Sequence, residues 1–133
     1  NTRYMMIKNY ITWSGVDQLV DVLCKKILLD LPQIDSVVGI PRGGLIPATL
    51  VSHKLGLPYN DGPIGANTLV IDDICDSGNT IKNSIGVYTA TLHTKLSAIV
   101  QPTLAANILI NESQWVVYPW ERQDSEPIQD YLK

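Results

Sequence analysis

One segment of the sequence, residues 68–80, constrains the fold more than any other. It begins with a short apolar run that includes Val70 and Ile71 and is typical of a buried strand, and it continues through three acidic residues into a turn of small residues. The periodic segment after Thr80 predicts a helix that runs to about Tyr88. A strand that leads into a helix, repeated along a chain, predicts an α/β fold with a mostly parallel, twisted sheet flanked by helices.

Other segments repeat this alternation. Residues 14–17 resemble a capping box and predict the start of a helix, and residues 45–55 predict a second helix that Gly56 ends. Residues 34–40 and 89–95 predict two further strands. The buried face of the first helix is predicted to carry Val16, Leu19, Val20, Leu23 and Ile27.

The length and composition limit the possible classes of protein. A chain of 133 residues with a net charge of −3 and no run of Lys or Arg predicts a single domain, 1–133, without a nucleic-acid partner. The apolar runs are too short for a membrane span and the first residues lack the apolar core of a secretion signal, so we expect a cytoplasmic protein with no membrane partner. Cys24 and Cys75 lack metal-type spacing and are expected to be reduced. The polar segment 123–133 is expected to be partly frayed.

The turn after the strand at 68–71 is suited to a sugar phosphate. Backbone N–H groups at the start of the following helix, together with the hydroxyls of Ser77 and Thr80, would form an anion-binding nest. Three carboxylates so close in sequence need a cation, hydroxyl donors or exposure to water, and ribose hydroxyls with Mg²⁺ would supply this: Asp72, Asp73 and Asp76. The alternative is a solvated connection with a capped helix.

A second loop, residues 39–44, follows the strand predicted at 34–40. Arg42 stands beside Gly43 and Gly44, which would let a ligand approach the backbone closely. Taken alone, this loop fits a pyrophosphate site and a glycine-rich turn with a solvated arginine about equally. Because ligands bind at the carboxyl ends of the strands in open α/β sheets, we expect this loop and the acidic turn to lie together.

Residues 68–80 resemble the phosphoribosyl pyrophosphate signature of the type I phosphoribosyltransferases, which is a hydrophobic strand, two acidic residues, two spacers and Asp-Ser/Thr-Gly-x-Thr. The resemblance extends from about Trp13 to Glu121 and is to the xanthine-guanine and hypoxanthine-guanine (6-oxopurine) enzymes. It implies that Asp72 and Asp73 bind the ribose hydroxyls and help to position Mg²⁺. The 5-phosphate would then bind to Ser77, Gly78, Asn79 and Thr80.

The same resemblance implies where the purine and the pyrophosphate bind. Asp76 would face N7 of the base as a proton acceptor or donor, and Lys95 would donate to its 6-oxo group. Trp115 would stack on the purine, and the backbone of Val116 would contact its edge near C2. From the residues alone, the favoured interpretation is a solvated lysine at Lys95 and a core residue at Trp115.

The pyrophosphate loop of the family is an Arg-Gly-Gly segment, which corresponds here to Arg42, Gly43 and Gly44. The peptide bond before its basic residue is often cis, so we predict a cis bond between Pro41 and Arg42. Glu121 is a further candidate to support the metal or the pyrophosphate, although a strand-end carboxylate that faces water explains it equally well.

Two segments depart from the family pattern. Members usually carry a long mobile loop where this chain has only residues 58–67, which are too few for such a lid, so we expect a short form with a reduced hood. The segment 101–103 lacks the aspartate that often follows its proline, and this puts the local support of the purine pocket in question.

The resemblance implies a magnesium-dependent glycosyltransferase of purine salvage. Its substrates would be phosphoribosyl pyrophosphate and guanine, xanthine or hypoxanthine, its catalytic residues would be the three aspartates, and a homo-oligomer is expected. The alternative is a non-catalytic or regulatory module that binds phosphoribosyl pyrophosphate or a nucleotide, which the missing lid favours. An adenine or pyrimidine acceptor is disfavoured, because Lys95 suits a carbonyl and not an exocyclic amine.

Overall fold

The computed structural model describes residues 7–84, 87–111 and 113–124. In this part of the chain, two parallel sheets are formed by β1 (Ile7–Tyr10), β2 (Ser36–Gly39), β3 (Thr68–Cys75), β4 (Tyr88–Lys95), β5 (Leu104–Leu109) and β6 (Gln114–Val117). The larger sheet has the order β2-β3-β4-β5, and the smaller one pairs β1 with β6. All these pairs are parallel, which confirms the predicted α/β fold.

The first helix, α1 (Trp13–Asp30), starts two residues earlier than the capping box predicted at residues 14–17. Thr12 has extended backbone and its hydroxyl accepts a hydrogen bond from the Gly15 N–H at 3.0 Å, so Thr12 is the N-cap and the prediction of Ser14 is wrong. The predicted inner face is correct except for Leu19, which is only partly buried. This face packs on the larger sheet and forms the core with Val37, Val51, Leu69, Ile71, Ala90 and Leu92.

The second helix, α2 (Leu45–Leu55), has the predicted bounds. Gly56 ends it in the left-handed conformation, at φ 65°, where its backbone N–H bonds to Ser52 O. Because α2 begins directly after the glycine loop that follows β2, its first turn lies at the carboxyl end of the sheet.

The helix predicted from Thr80 to Tyr88 is wrong. Only one turn forms, α3 (Asn79–Lys82), and β4 already begins at Tyr88, with residues 85–86 outside the described part. Asn83 and Ser84 have low helix propensity, and the Ser84 N–H closes a tight turn on Ile81 O at 2.9 Å. The strand before this turn is longer than predicted, because β3 continues to Cys75 and includes two of the acidic residues.

Several other boundaries also differ. The strand predicted at 34–40 is shorter, β1 and β5 have no predicted counterpart, and the predicted strand at 89–95 is confirmed with one added residue. Most of the segment 123–133 lies outside the described residues. Both cysteines are buried, and Cys75 Sγ donates a hydrogen bond to Val100 O at 3.2 Å. No helix of the described residues is long and apolar enough to cross a membrane.

The connection between α2 and β3 is a closed turn. Tyr59 forms a parallel bridge with Val37, and its hydroxyl accepts a hydrogen bond from the Gly39 N–H at 3.1 Å. The side-chain amide of Asn60 donates to Pro63 O at 3.1 Å and to Thr68 Oγ1 at 3.2 Å. This short segment therefore leads from the helix into β3 without a lid-sized loop.

Candidate active site

The candidate site lies at the carboxyl ends of β2, β3 and β4, where their loops meet. Gly39 and Ile71 are register partners, and Ile71 O accepts a hydrogen bond from the Ile40 N–H at 2.8 Å, which joins the glycine loop to β3. On the other side of β3, Cys75 is the register partner of Thr94. The topology thus brings together the three loops that the sequence predicted to be functional.

The paired acids are buried residues of β3 and not residues of an exposed loop. Asp73 N–H donates to Asp72 Oδ1 at 2.8 Å, and Ile74 N–H donates to Asp73 Oδ1 at 2.8 Å. Because side chains alternate along a strand, the two carboxylates leave β3 on opposite faces. These backbone donors give each buried carboxylate a hydrogen-bond partner, which offsets part of the cost of burial.

The glycine loop is pressed against the second acid. A Cβ atom at Gly43 would overlap Asp73 Oδ2, and one at Gly44 would be 2.7 Å from Ile40 O, so neither position has room for a side chain. Arg42 is exposed at the rim, and the peptide bond between Pro41 and Arg42 is cis, as predicted. The loop thus places a close-packed backbone next to the Asp73 carboxylate, with Arg42 exposed beside it in the chain.

The predicted phosphate loop is a tight turn that packs against the loop after β4. Gly78 has φ 95°, and a Cβ atom there would lie 2.7 Å from Val100 N. Ser77 O accepts a hydrogen bond from the Ile99 N–H at 2.9 Å, and the Asn79 N–H donates to Ser77 Oγ at 3.2 Å. Ser77, Asn79 and Thr80 are partly buried at the start of α3.

The residues predicted to bind the purine lie together. Lys95 Nζ is 2.8 Å from Asp76 Oδ1, and both side chains are only 10% exposed. The same Nζ lies 5.6 Å from the ring centre of Trp115, within range of a cation–π contact. Trp115 Nε1 is buried without a hydrogen-bond partner among the described residues, and Val116 is buried beside it in β6.

Gln101 supports the loop that follows Lys95. Its side-chain oxygen accepts a hydrogen bond from Thr94 Oγ1 at 2.8 Å, and its amide donates to Lys95 O at 2.9 Å. The support that a missing aspartate had put in question therefore comes from a glutamine before Pro102.

Two buried residues that had no predicted role at the site connect to Asp73 through hydrogen bonds from the interior of the protein. Tyr118 OH donates to Asp73 O at 3.0 Å, and His93 Nδ1 lies 2.7 Å from the same hydroxyl. Burial raises the pKa of Tyr118 well above 10, and the charges of Asp73, Glu121 and Asp72 act in the same direction. Burial lowers the pKa of His93 to about 4, against the opposite effect of Asp73. The alternation of β4, which puts His93 on the same face as Lys95, was the only sequence signal for this contact.

The described residues contain no group of three or more His, Cys, Asp or Glu side chains arranged to hold a metal ion. Glu121 is partly buried, and its N–H donates to Tyr118 O at 3.0 Å. The candidate donors for a cation are the carboxylates of Asp72 and Asp73, and because they leave β3 on opposite faces, one ion would be held by one of them. This fits Mg²⁺, which commonly binds through one or two carboxylates and completes its shell with water and substrate phosphates.

Comparisons with known proteins agree with this geometry. The chain is 29% identical to a xanthine-guanine phosphoribosyltransferase of Cereibacter sphaeroides, in an alignment that covers 65% of this chain and 68% of the relative. It is similar to the crystal structure of a purine phosphoribosyltransferase from Pyrococcus horikoshii, with 26% identity, a TM-score of 0.77 and coverage of 92% of this chain and 99% of that one. No protein-family profile matches the chain.

Two further solved structures share the fold. One is the xanthine-guanine-hypoxanthine phosphoribosyltransferase of Helicobacter pylori, with 20% identity, a TM-score of 0.75 and coverage of 86% and 94% of the two chains. The other is a hypothetical protein from Neisseria gonorrhoeae with bound ppGpp, with 21% identity, a TM-score of 0.70 and coverage of 89% and 92%.

The fold is that of the type I phosphoribosyltransferases, and the resemblance predicted from residues 68–80 is confirmed. Within this fold, the chain is similar to purine phosphoribosyltransferases.

Proposed function

We propose that this protein transfers the phosphoribosyl group of phosphoribosyl pyrophosphate to a 6-oxopurine, which is guanine, xanthine or hypoxanthine, and releases pyrophosphate. The observation that carries the proposal is the position of Lys95, whose Nζ lies 2.8 Å from the Asp76 carboxylate and 5.6 Å from the Trp115 ring centre. We place the reaction in purine salvage in the cytoplasm.

The Asp76 and Lys95 pair matches one edge of a 6-oxopurine. The 6-oxo group and N7 are neighbours on that edge, so the lysine can donate to the oxo oxygen while the carboxylate, 2.8 Å away, accepts from the N–H of a base that carries its proton on N7. Lysine has donors only, so it pairs with an oxo group and not with the amino group of adenine. Trp115 offers a ring face beside this pair for stacking.

In the reaction, a bond forms between a purine nitrogen and C1 of the ribose while the bond from C1 to the pyrophosphate oxygen breaks. The electron pair of that bond leaves with pyrophosphate, and the proton lost by the purine passes to the carboxylate of Asp76. Asp72 and Asp73 would bind the ribose hydroxyls and place negative charge near the cation-like sugar, and Arg42 with Gly43 and Gly44 would bind the pyrophosphate. Ser77 to Thr80 would hold the 5-phosphate.

The carboxylate of Asp72 or of Asp73 would also hold Mg²⁺. When bound, the ion would neutralise charge on the pyrophosphate and orient it. Because the segment 57–67 is a closed turn, it offers no lid to exclude water, so we expect slow turnover, below the typical median of about 10 s⁻¹, and some hydrolysis of phosphoribosyl pyrophosphate. A neighbouring subunit of a homo-oligomer would be the other source of cover, in which case activity falls on dilution.

The test is pyrophosphate release with Mg²⁺ and phosphoribosyl pyrophosphate, with guanine, xanthine, hypoxanthine and adenine supplied separately. The proposal expects release with at least one 6-oxopurine and much less with adenine. Equal use of adenine contradicts the role of Lys95, and no purine-dependent release contradicts the enzyme itself.

A regulatory nucleotide-binding module is the second candidate. It is favoured by the likeness in fold to the Neisseria gonorrhoeae protein with bound ppGpp and by the missing lid. Such a module would bind phosphoribosyl pyrophosphate or a nucleotide in a titration and would release no pyrophosphate with any purine in the same assay.

A further inference from the structure

A chain of hydrogen bonds reaches the second acid from inside the protein. His93 in β4 and Tyr118 after β6 are 3% and 1% exposed. His93 Nδ1 lies 2.7 Å from Tyr118 OH, and that hydroxyl donates to the backbone oxygen of Asp73 at 3.0 Å. Elements that are distant in sequence thus meet at one carbonyl group of β3.

The direction of these hydrogen bonds fixes the state of the histidine. A tyrosine hydroxyl has one proton, and Tyr118 gives it to Asp73 O, so His93 Nδ1 must carry a proton and donate to the hydroxyl. His93 is then a neutral imidazole in a single tautomer, which agrees with the low pKa, about 4, that burial gives it.

The tyrosine ring is held as firmly as its hydroxyl. It stacks on Trp120 at a centroid distance of 4.8 Å and an interplanar angle of 6°, and Trp120 contacts Trp13 of α1 at 5.9 Å. Polar groups buried at this depth are costly unless their partners are fixed. The packing therefore presents the hydroxyl to Asp73 in one orientation.

We propose that Tyr118, oriented by His93, is a positioning residue that fixes the backbone of Asp73 and so holds the Asp73 carboxylate against Gly43 of the glycine loop. Asp73 Oδ2 occupies the space where a Cβ atom of Gly43 would be, so a small movement of β3 at this point would displace the carboxylate from that loop. Tyr118 directly follows β6, which carries Trp115, so it also links the purine side of the site to the acid. This inference deepens the proposed function and rests on it.

The first test is Tyr118→Phe, which keeps the ring and removes only the hydroxyl. We expect kcat to fall by about 10- to 100-fold, as for other residues that orient a site from outside it, with KM for the purine unchanged. The matched control is Tyr10→Phe, which removes a hydroxyl that donates to Gln123 O at 3.2 Å and should leave kcat unchanged. Wild-type kcat in Tyr118→Phe would overturn the proposal.

A double variant separates positioning from mere stability. Tyr118→Phe leaves a buried donor of His93 without its partner, whereas His93→Leu with Tyr118→Phe replaces both polar groups and should recover much of the lost stability. The proposal expects kcat to stay low in the stable double variant, and recovery of kcat together with the melting temperature would overturn it. His93→Asn, which keeps a donor near Nδ1, should retain more activity than His93→Leu.

A binding measurement distinguishes failure of this inference from failure of the proposed function. If the wild type turns over no purine, the proposed function fails, and calorimetric titration of phosphoribosyl pyrophosphate with Mg²⁺ becomes the readout. Weaker binding to Tyr118→Phe than to Tyr10→Phe would still support positioning of Asp73. Equal affinities would overturn it.

Discussion

Two lysines in this protein form ion pairs with nearly the same nitrogen-to-oxygen distances but in very different surroundings. Between α1 and α2, Lys54 Nζ lies 2.9 Å from Asp17 and 2.7 Å from Asp21, and the side chains of the three residues are 31%, 60% and 52% exposed. At the candidate site, Lys95 Nζ lies 2.8 Å from Asp76, and both side chains are 10% exposed. Distance alone therefore says little about what a pair contributes, because water screens the first cluster and is largely excluded from the second.

If burial decides what a charge contributes, the largest effect should come from the two buried acids of β3, which precede Asp76. Asp72→Asn or Asp73→Asn should lower kcat/KM by roughly 10²- to 10⁴-fold, because the variants lose charge that is placed at the reacting sugar. Little loss of fold is expected, since the side-chain oxygen of asparagine can still accept the hydrogen bond from the Asp73 or Ile74 N–H. Asp17→Asn on α1 is the matched control and should leave the kinetics unchanged. Steady-state rates with thermal melts check this, and either an unfolded variant or native turnover in the β3 variants would contradict it.

The next test breaks the buried pair. Lys95→Ala removes a charged donor worth roughly 1.5 to 3 kcal/mol, so kcat/KM for the purine should fall by about 10- to 100-fold while binding of phosphoribosyl pyrophosphate changes much less. Trp115→Ala should show the same division through lost stacking. Titrations with each substrate measure it. Equal losses for both substrates would mean that neither residue lies in the base pocket.

A third test uses the pH dependence of stability. His93 has a pKa of about 4 in the folded protein and about 6.5 unfolded, so between these values the unfolded chain binds more protons. The contribution is therefore fully present above pH 6.5 and is lost as the pH falls towards 4, and the whole loss is about 3 kcal/mol of unfolding free energy. Denaturant unfolding from pH 7 to 4 should show a steeper loss in the wild type than in His93→Asn. Parallel curves would show that His93 titrates normally.

The smallest effect is expected at the exposed cluster. Hydrogen bonds to Asp21 and then to Asp17 raise the pKa of Lys54 above its ordinary value, but water and salt screen these charges. Lys54→Ala should lower the melting temperature only slightly, and the difference should vanish in high salt. A large, salt-independent drop would show that burial does not separate the two clusters.

Segments with local signals were predicted well from the sequence. The bounds of α2 followed from Gly56, and β4 followed from its β-branched run, because turn chemistry and side-chain alternation act over a few residues. The helix predicted from Thr80 is shorter than predicted, because Tyr88 already pairs with Leu69 in the parallel sheet at the point where the periodicity favoured a helix. β1 has no local signal, since its partner β6 lies far along the sequence.

For the candidate site, the sequence supplied the residues but not their contacts. The signature at 68–80 predicted which carboxylates matter, and the alternation of strands and helices predicted that they meet Arg42 and Lys95 at one edge. The contact of Tyr118 with Asp73 spans 45 positions and depends on how the segment after β6 packs, so no local pattern could predict it.

The fit between Gly78 and Val100 bears on how base preference can evolve or be engineered. Ile99 N–H bonds to Ser77 O, and there is no room for a methyl group between Gly78 and the backbone of Val100. Insertions or bulky substitutions at 96–100 would therefore disturb the phosphate loop as well as Lys95. Libraries that seek a new acceptor base should vary β6 and the residues after it, and should keep the contact of residues 77–78 with residues 99–100 unchanged.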